Sequence, residues 1–134
     1  MTSSYHRTSF NRETRDLAIG NVVNTLKEIP RHVSLVFCGV SGMSIGFAVA
    51  DETGRDFAVV RKAGDKSHAE EKIEGIINGE YIIIDDIMDT GATIDYILDQ
   101  AERYGGECVG IILFRGALAR RYKEIPIFEL PFVG

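Results

Sequence analysis

The run Glu80-Tyr81-Ile82-Ile83-Ile84 constrains the fold of this chain more than any other segment. Successive residues of a strand point to opposite faces, so four bulky side chains in a row must be buried on both sides. That is the condition of an interior strand in a parallel sheet covered by helices. The run ends in Asp85 and Asp86, and Gly91 then marks a tight turn. Beyond it, Ile94, Ile97, Leu98 and Ala101 recur at the spacing of an amphipathic helix, with Gly105 placed as its C-terminal cap.

The flanking sequence repeats this alternation. Residues 11–29 read as a helix, with Leu17, Val22, Leu26 and Ile29 near helical spacing and Pro30 stopping it. Residues 33–38 form a β-branched apolar run that enters a loop bearing Gly39, Gly42 and Gly46, and residues 43–50 are helical, closed by Gly54. Further strands are expected over residues 56–60, 109–114 and 125–130, and a short helix over residues 117–122. Residues 61–79 are polar and broken by Gly64, Gly75 and Gly79, the composition of a disordered or functional loop. Strands alternating with helices give an α/β fold with a mostly parallel sheet. No repeat or linker divides the chain, so residues 1–134 are expected to be a single domain: an N-terminal segment and helix (1–30), a core (31–114) and a short C-terminal part (115–134).

Several function classes are disfavoured. A formal charge of −5 gives no long-range attraction to nucleic acid or to an anionic membrane. No stretch approaches the roughly 18 apolar residues of a membrane span, and the N-terminal residues Ser3, Ser4, His6, Arg7 and Arg12 contain no signal-peptide core. Cys38 and Cys108 sit in separate apolar runs and read as buried reduced thiols. A cytoplasmic protein is the expectation.

The chemistry concentrates in residues 81–93. In open α/β sheets ligands bind beyond the carboxyl ends of the strands. There the backbone N–H groups from Asp89 to Thr93 open a helix and favour an anion, and the hydroxyls of Thr90 and Thr93 add donors. The carboxylates suit sugar hydroxyls or a magnesium-bearing ligand, so a phosphorylated sugar fits both halves. The plainer reading of Asp85, Asp86 and Asp89 is solvated turn residues and helix caps. A P-loop is excluded by the absence of its G-x-x-x-x-G-K-[ST] pattern. A response-regulator receiver carries its acidic pair near the start of the domain, whereas here it lies in the second half.

The order of apolar strand, acidic pair, Thr90-Gly91 and Thr93 resembles the phosphoribosyl pyrophosphate (PRPP) motif of the type I phosphoribosyltransferases. The resemblance implies a three-layer fold with helices on both faces of the sheet. It also implies that Asp85 and Asp86 hold the ribose hydroxyls, and reach Mg²⁺ indirectly through PRPP or water. Residues Asp89, Thr90, Gly91, Ala92 and Thr93 would wrap the 5′-phosphate. Residues 38–44 resemble the family's pyrophosphate loop, which assigns Gly39, Val40, Ser41 and Gly42 to that group, with Arg61 and Lys62 as basic neighbours. A glycine turn without a ligand and a solvated strand end remain the alternatives for these segments. By position, Lys66, Ser67 and His68 fall in the family's mobile loop.

Asp89 directly before Thr-Gly resembles the 6-oxopurine (hypoxanthine/xanthine-guanine) branch, in which a carboxylate there exchanges a proton with the purine ring. Its alternative role is that of a carboxylate stabilised by the helix dipole. Arg115 stands where that branch usually carries a base-recognising lysine, and it is not equivalent to lysine. The chain is short for the family, which implies a reduced hood, and Phe128, Phe132 or Tyr122 are the aromatics left to stack on a base. The resemblance thus implies a cytoplasmic, Mg²⁺-dependent enzyme of nucleotide metabolism, in purine salvage, transferring phosphoribosyl from PRPP to a nucleobase, and a possible homodimer. Adenine, orotate or another pyrimidine is the alternative base. A PRPP-binding regulatory or accessory protein without transferase activity is the alternative function.

Overall fold

The computed structural model describes residues 12–61, 73–77, 79–117, 119–128 and 130. In chain order these form α1 (Arg12–Leu26), β1 (Ser34–Cys38), α2 (Gly39–Thr53), β2 (Phe57–Val60), β3 (Ile73–Gly75) and β4 (Glu80–Asp85). They continue with α3 (Ala92–Glu102), β5 (Glu107–Leu113), β6 (Arg121–Tyr122) and β7 (Ile125–Phe128). The strands lie in the order β3-β2-β1-β4-β5-β7-β6. The five interior strands are parallel, while β3 and β6 add to the two edges antiparallel.

The two-residue period of the strands sorts the core into two faces. Leu35 and Phe37 of β1, Ile82 and Ile84 of β4, and Ile112 pack under α1 and α2. Val36 and Cys38, Tyr81 and Ile83, and Ile111 and Leu113 pack under α3. Every residue of β1 is buried, as is every residue of β4 after Glu80. The uninterrupted apolar run of β4 is thus the signature of a strand covered twice.

Several local expectations are corrected. The α1 stripe is Ala18, Val22 and Leu26, at intervals of four; Leu17 is 62% exposed. Helix α1 lies mainly against α2, and hydrophobicity alone does not single out a residue as small as Ala18 for that face. The loop expected after β1 is already helix, because Gly39 itself adopts φ +77° and α2 starts there. Gly42 and Gly46 are packing residues: a Cβ on Gly42 would meet Phe37 Cβ at 3.1 Å and Ile84 O at 3.3 Å, and one on Gly46 would run into the Phe37 ring. Of residues 61–79, 62–72 and 78 lie outside the described set, and Ile73–Gly75 pair with β2. In place of a helix over residues 117–122, Arg121–Tyr122 pair with Pro126–Ile125 in a tight hairpin.

Helix ends are closed by two glycines and one arginine. Gly54 (φ +65°) and Gly105 (φ +77°) end α2 and α3, with Arg55 N–H donating to Ala50 O and Gly106 N–H to Ala101 O. Helix α1 has no basic residue in its last turn. Its charge compensation comes from Arg55, 7% exposed, whose guanidinium donates to the carbonyls of Leu26 (2.9 Å), Ile29 (2.7 Å), Pro30 (2.8 Å) and Val33 (3.1 Å). Among the described residues, no helix is long and apolar enough to cross a membrane.

Candidate active site

From β1 the chain turns to β2 on one side, and it later returns to β4 on the other. The carboxyl ends of β1 and β4 are therefore a topological switch point, where a crevice opens between diverging connections. A cleft of about 360 Å³ lies there, lined by residues 38–40 and 85–94.

Two helices begin at this cleft. Helix α2 starts at Gly39 with no acidic residue in its first turn and no side-chain cap. Helix α3 starts after Gly91, which also offers no side chain to cap it. The first turn and the positive end of each helix dipole thus face one crevice. Gly91 adopts φ +87°, a backbone state that other residues reach with strain. Thr90 Oγ1 accepts from Ala92 N–H at 3.2 Å and fixes the turn before the helix.

The acidic pair is held firmly. Asp85 and Asp86 are 8% and 6% exposed. Asp85 Oδ1 accepts from Asp86 N–H at 2.9 Å, and Asp86 Oδ1 from Ile87 N–H at 2.7 Å. Their backbone carbonyls accept from Phe114 and Arg115 N–H at 3.0 and 2.9 Å, which ties the pair to the end of β5. Burial pushes the Asp86 carboxyl above its usual range; the Ile87 N–H bond and the nearby Arg115 charge pull it partly back. A carboxylate held at such a cost is poised to gain from hydroxyl donors or a cation.

Thus Asp85, Asp86, Asp89, Thr90, Gly91, Ala92 and Thr93 share one cleft with Gly39 and Val40. Gly42 does not line it, and Arg61 pairs with Glu74 across β2 and β3. The Ser41 side chain and Lys62, Lys66, Ser67, His68 and Phe132 lie outside the description. Arg115 acts on Asp86 through its charge and is not among the residues that line the cleft. Phe128 packs against Gly110, and Tyr122 packs against Gly91 and bonds Asp95, so both aromatics are occupied structurally. Sequence reasoning missed Asp95 and Lys123, which form an ion pair at 2.8 Å beside the start of α3. The signal was hidden, since the hairpin turn that delivers Lys123 contains no glycine or asparagine.

The sheet is thus mostly parallel, and two helix N-termini and an acidic pair meet at its switch point. The profile of the family described as the phosphoribosyl transferase domain matches residues 30–128, most of the chain, and the chain belongs to that family. It is 29% identical over 103 residues to an orotate phosphoribosyltransferase of Streptococcus mutans, covering 75% of this chain and 49% of the relative. It is 31% identical over 117 residues to an adenine phosphoribosyltransferase of Thermosipho melanesiensis, covering 75% and 66%. The chain thus spans about half the length of the orotate relative and two thirds of the adenine one. Its fold matches adenine phosphoribosyltransferase from Saccharomyces cerevisiae, solved with an imino-altritol bisphosphate and adenine (TM-score 0.70, 23% identity, 89% of this chain and 79% of that one). It also matches orotate phosphoribosyltransferase from Mycobacterium tuberculosis with inorganic phosphate (TM-score 0.63, 19% identity, 81% and 61%).

Proposed function

We propose that this chain binds PRPP and transfers its phosphoribosyl group to a nucleobase, giving a nucleoside monophosphate and pyrophosphate. The observation that carries this reading is the convergence of two helix N-termini and a buried carboxylate pair on one cleft. PRPP has anionic groups at both ends and vicinal hydroxyls between them, and each has a matching partner. The α3 loop, residues 89–93, takes the 5′-phosphate; Gly39 and Val40 at the α2 start take the pyrophosphate; Asp85 and Asp86 accept from the ribose hydroxyls.

Transfer breaks the bond from the anomeric carbon to the pyrophosphate oxygen and forms one to the base nitrogen. The backbone amides at Gly39 and Val40 stabilise the charge that develops on the leaving oxygen. The α3 loop and the acidic pair fix the ribose so that nucleophile and leaving group stay in line. Asp89, exposed at the cleft, accepts the proton that the base nitrogen loses. Mg²⁺ fits this site only as a partner of the ligand. Among the described residues no group of three or more His, Cys, Asp or Glu could hold an ion by itself, so Asp85 and Asp86 would reach it through hydroxyls or water. Bound in that way, it supplies charge neutralisation to the pyrophosphate.

Asp89 supports a 6-oxopurine as the base and purine salvage as the role; the adenine and orotate relatives make those bases the first competitors. Pyrophosphate release from PRPP and Mg²⁺ is to be measured with hypoxanthine, guanine, xanthine, adenine, orotate and uracil. Turnover with a 6-oxopurine is expected, and Asp89→Asn should lower it about 100-fold or more, far more than it lowers PRPP affinity. Turnover only with adenine or orotate would discard the purine assignment. PRPP binding without turnover would make the chain a PRPP-responsive regulatory protein. Sedimentation of the same samples is expected to give a homodimer.

A further inference from the structure

We infer that the β6–β7 hairpin braces the loop at the start of α3, with Tyr122 and Lys123 as positioning residues that keep this helix end open to a phosphate. The inference rests on the reading of residues 89–93 as the 5′-phosphate loop.

Three contacts meet at one place. Tyr122 Oη donates to Asp95 Oδ1 at 2.8 Å, and Lys123 Nζ reaches the same oxygen at 2.8 Å. The Tyr122 phenol lies so close to Gly91 that a Cβ there would collide with it. Asp95 is tied back to the loop through its own N–H, which donates to Gly91 O at 2.8 Å. Gly91, Asp95 and Tyr122 therefore close a ring of contacts, and the residue at φ +87° is pinned from both sides. Lys123 also sits 5.6 Å from the Tyr122 ring centroid, which fixes the ring's outer face.

The electrostatics give the brace its purpose. Asp95 is the acid of the first turn of α3. A carboxylate there suits the helix dipole, but it opposes an incoming phosphate at the same end. Two donors on one oxygen offset that charge, and they hold the Asp95 carboxyl below its usual range. The ion pair is exposed, with side chains 60% and 44% accessible, so it adds little to stability; its effect falls on the neighbouring anion site. The hairpin accepts strain to deliver these groups. Lys123 (φ +50°) and Glu124 (φ +69°) fill the two central positions of a turn that normally takes Asn-Gly or Asp-Gly.

The test compares wild type, Tyr122→Phe, Lys123→Met and Asp95→Asn, and the double variant Lys123→Met/Asp95→Asn. Amide hydrogen exchange of residues 91–95 is followed without ligand, and PRPP is titrated calorimetrically with Mg²⁺. Tyr122→Phe should speed exchange in residues 91–95 about fivefold and weaken PRPP binding about five- to tenfold, with Tm nearly unchanged. Lys123→Met should weaken PRPP binding in the wild-type background and weaken it less beside Asp95→Asn, where the ion pair that holds the brace is already lost. Unchanged exchange in Tyr122→Phe would overturn the brace. So would a fall in Tm with unchanged PRPP affinity, which marks a purely structural hairpin. A wild type that does not bind PRPP would sink the functional reading, while the exchange result would still decide the brace.

Discussion

Asp86 shows what a buried carboxyl costs a fold. Its carboxyl is buried and its pKa is raised by that burial. A carboxyl raised above its unfolded value binds its proton more tightly in the folded protein. That contribution to stability is fully present below the unfolded pKa of about 3.9 and is lost as pH rises through the folded value. Asp86→Asn should therefore raise Tm at pH 7, show no gain near pH 3.5, and weaken PRPP binding; thermal unfolding at both pH values checks the first two. An equal Tm difference at both would remove the electrostatic account. Gly91 is the converse case. Gly91→Ala meets both a strained φ and the Tyr122 phenol, and should destabilise by about 2 kcal/mol in denaturant titration and weaken PRPP binding together. The thiols were read as buried and reduced; neither forms a disulfide, Cys38 is buried, and Cys108 is only partly so. Burial pushes the Cys108 thiol up to about 11, so alkylation of the native protein at pH 7 should leave it largely unmodified. The acidic pair was legible as a candidate site because its order with Thr90, Gly91 and Thr93 is demanding, and these residues do share one cleft. The Asp95 partnership was not, because Lys123 reaches it from a different element across 28 residues of chain.

At the level of elements, strands were read better than turns. The apolar runs of β1, β4 and β5 announce themselves because both faces are buried, and two Gly caps, Gly54 and Gly105, stand where helices end. The start of α2 was misplaced because Gly39, Gly42 and Gly46 look alike in sequence. Only Gly39 is needed for its backbone angle, while Gly42 and Gly46 make room for Phe37. Gly46→Ala would overpack this contact and should cost about 1–3 kcal/mol in denaturant titration. Strand β7 was legible, but β6 was read as the end of a helix over residues 117–122, because Lys123-Glu124 carries none of the usual turn residues. The end of α1 depends on a residue of another segment altogether. Arg55→Met removes four donated bonds to the carbonyls of Leu26, Ile29, Pro30 and Val33 and should destabilise the protein by roughly 3 kcal/mol. A change below about 0.5 kcal/mol would show that water replaces the guanidinium without loss.

At the scale of the whole molecule, the strand order decides where chemistry can occur. Because β1 lies between β2 and β4, the starts of α2 and α3 face each other across a single crevice. Neither helix end would bind a large anion well alone, but two of them with a carboxylate pair match a ligand that is charged at both ends and hydroxylated between. Alternating strands and helices made the α/β class legible from the sequence, but they did not give the strand order. That order depends on which side of β1 each connection takes, and apolar periodicity does not encode it. The most direct test of the account is a calorimetric titration of PRPP with Mg²⁺ into wild type and into Asp85→Asn/Asp86→Asn. The account predicts saturable binding at one site in the wild type and a loss of at least about tenfold in affinity in the variant. No binding by the folded wild type, or equal affinity in both proteins, would contradict it.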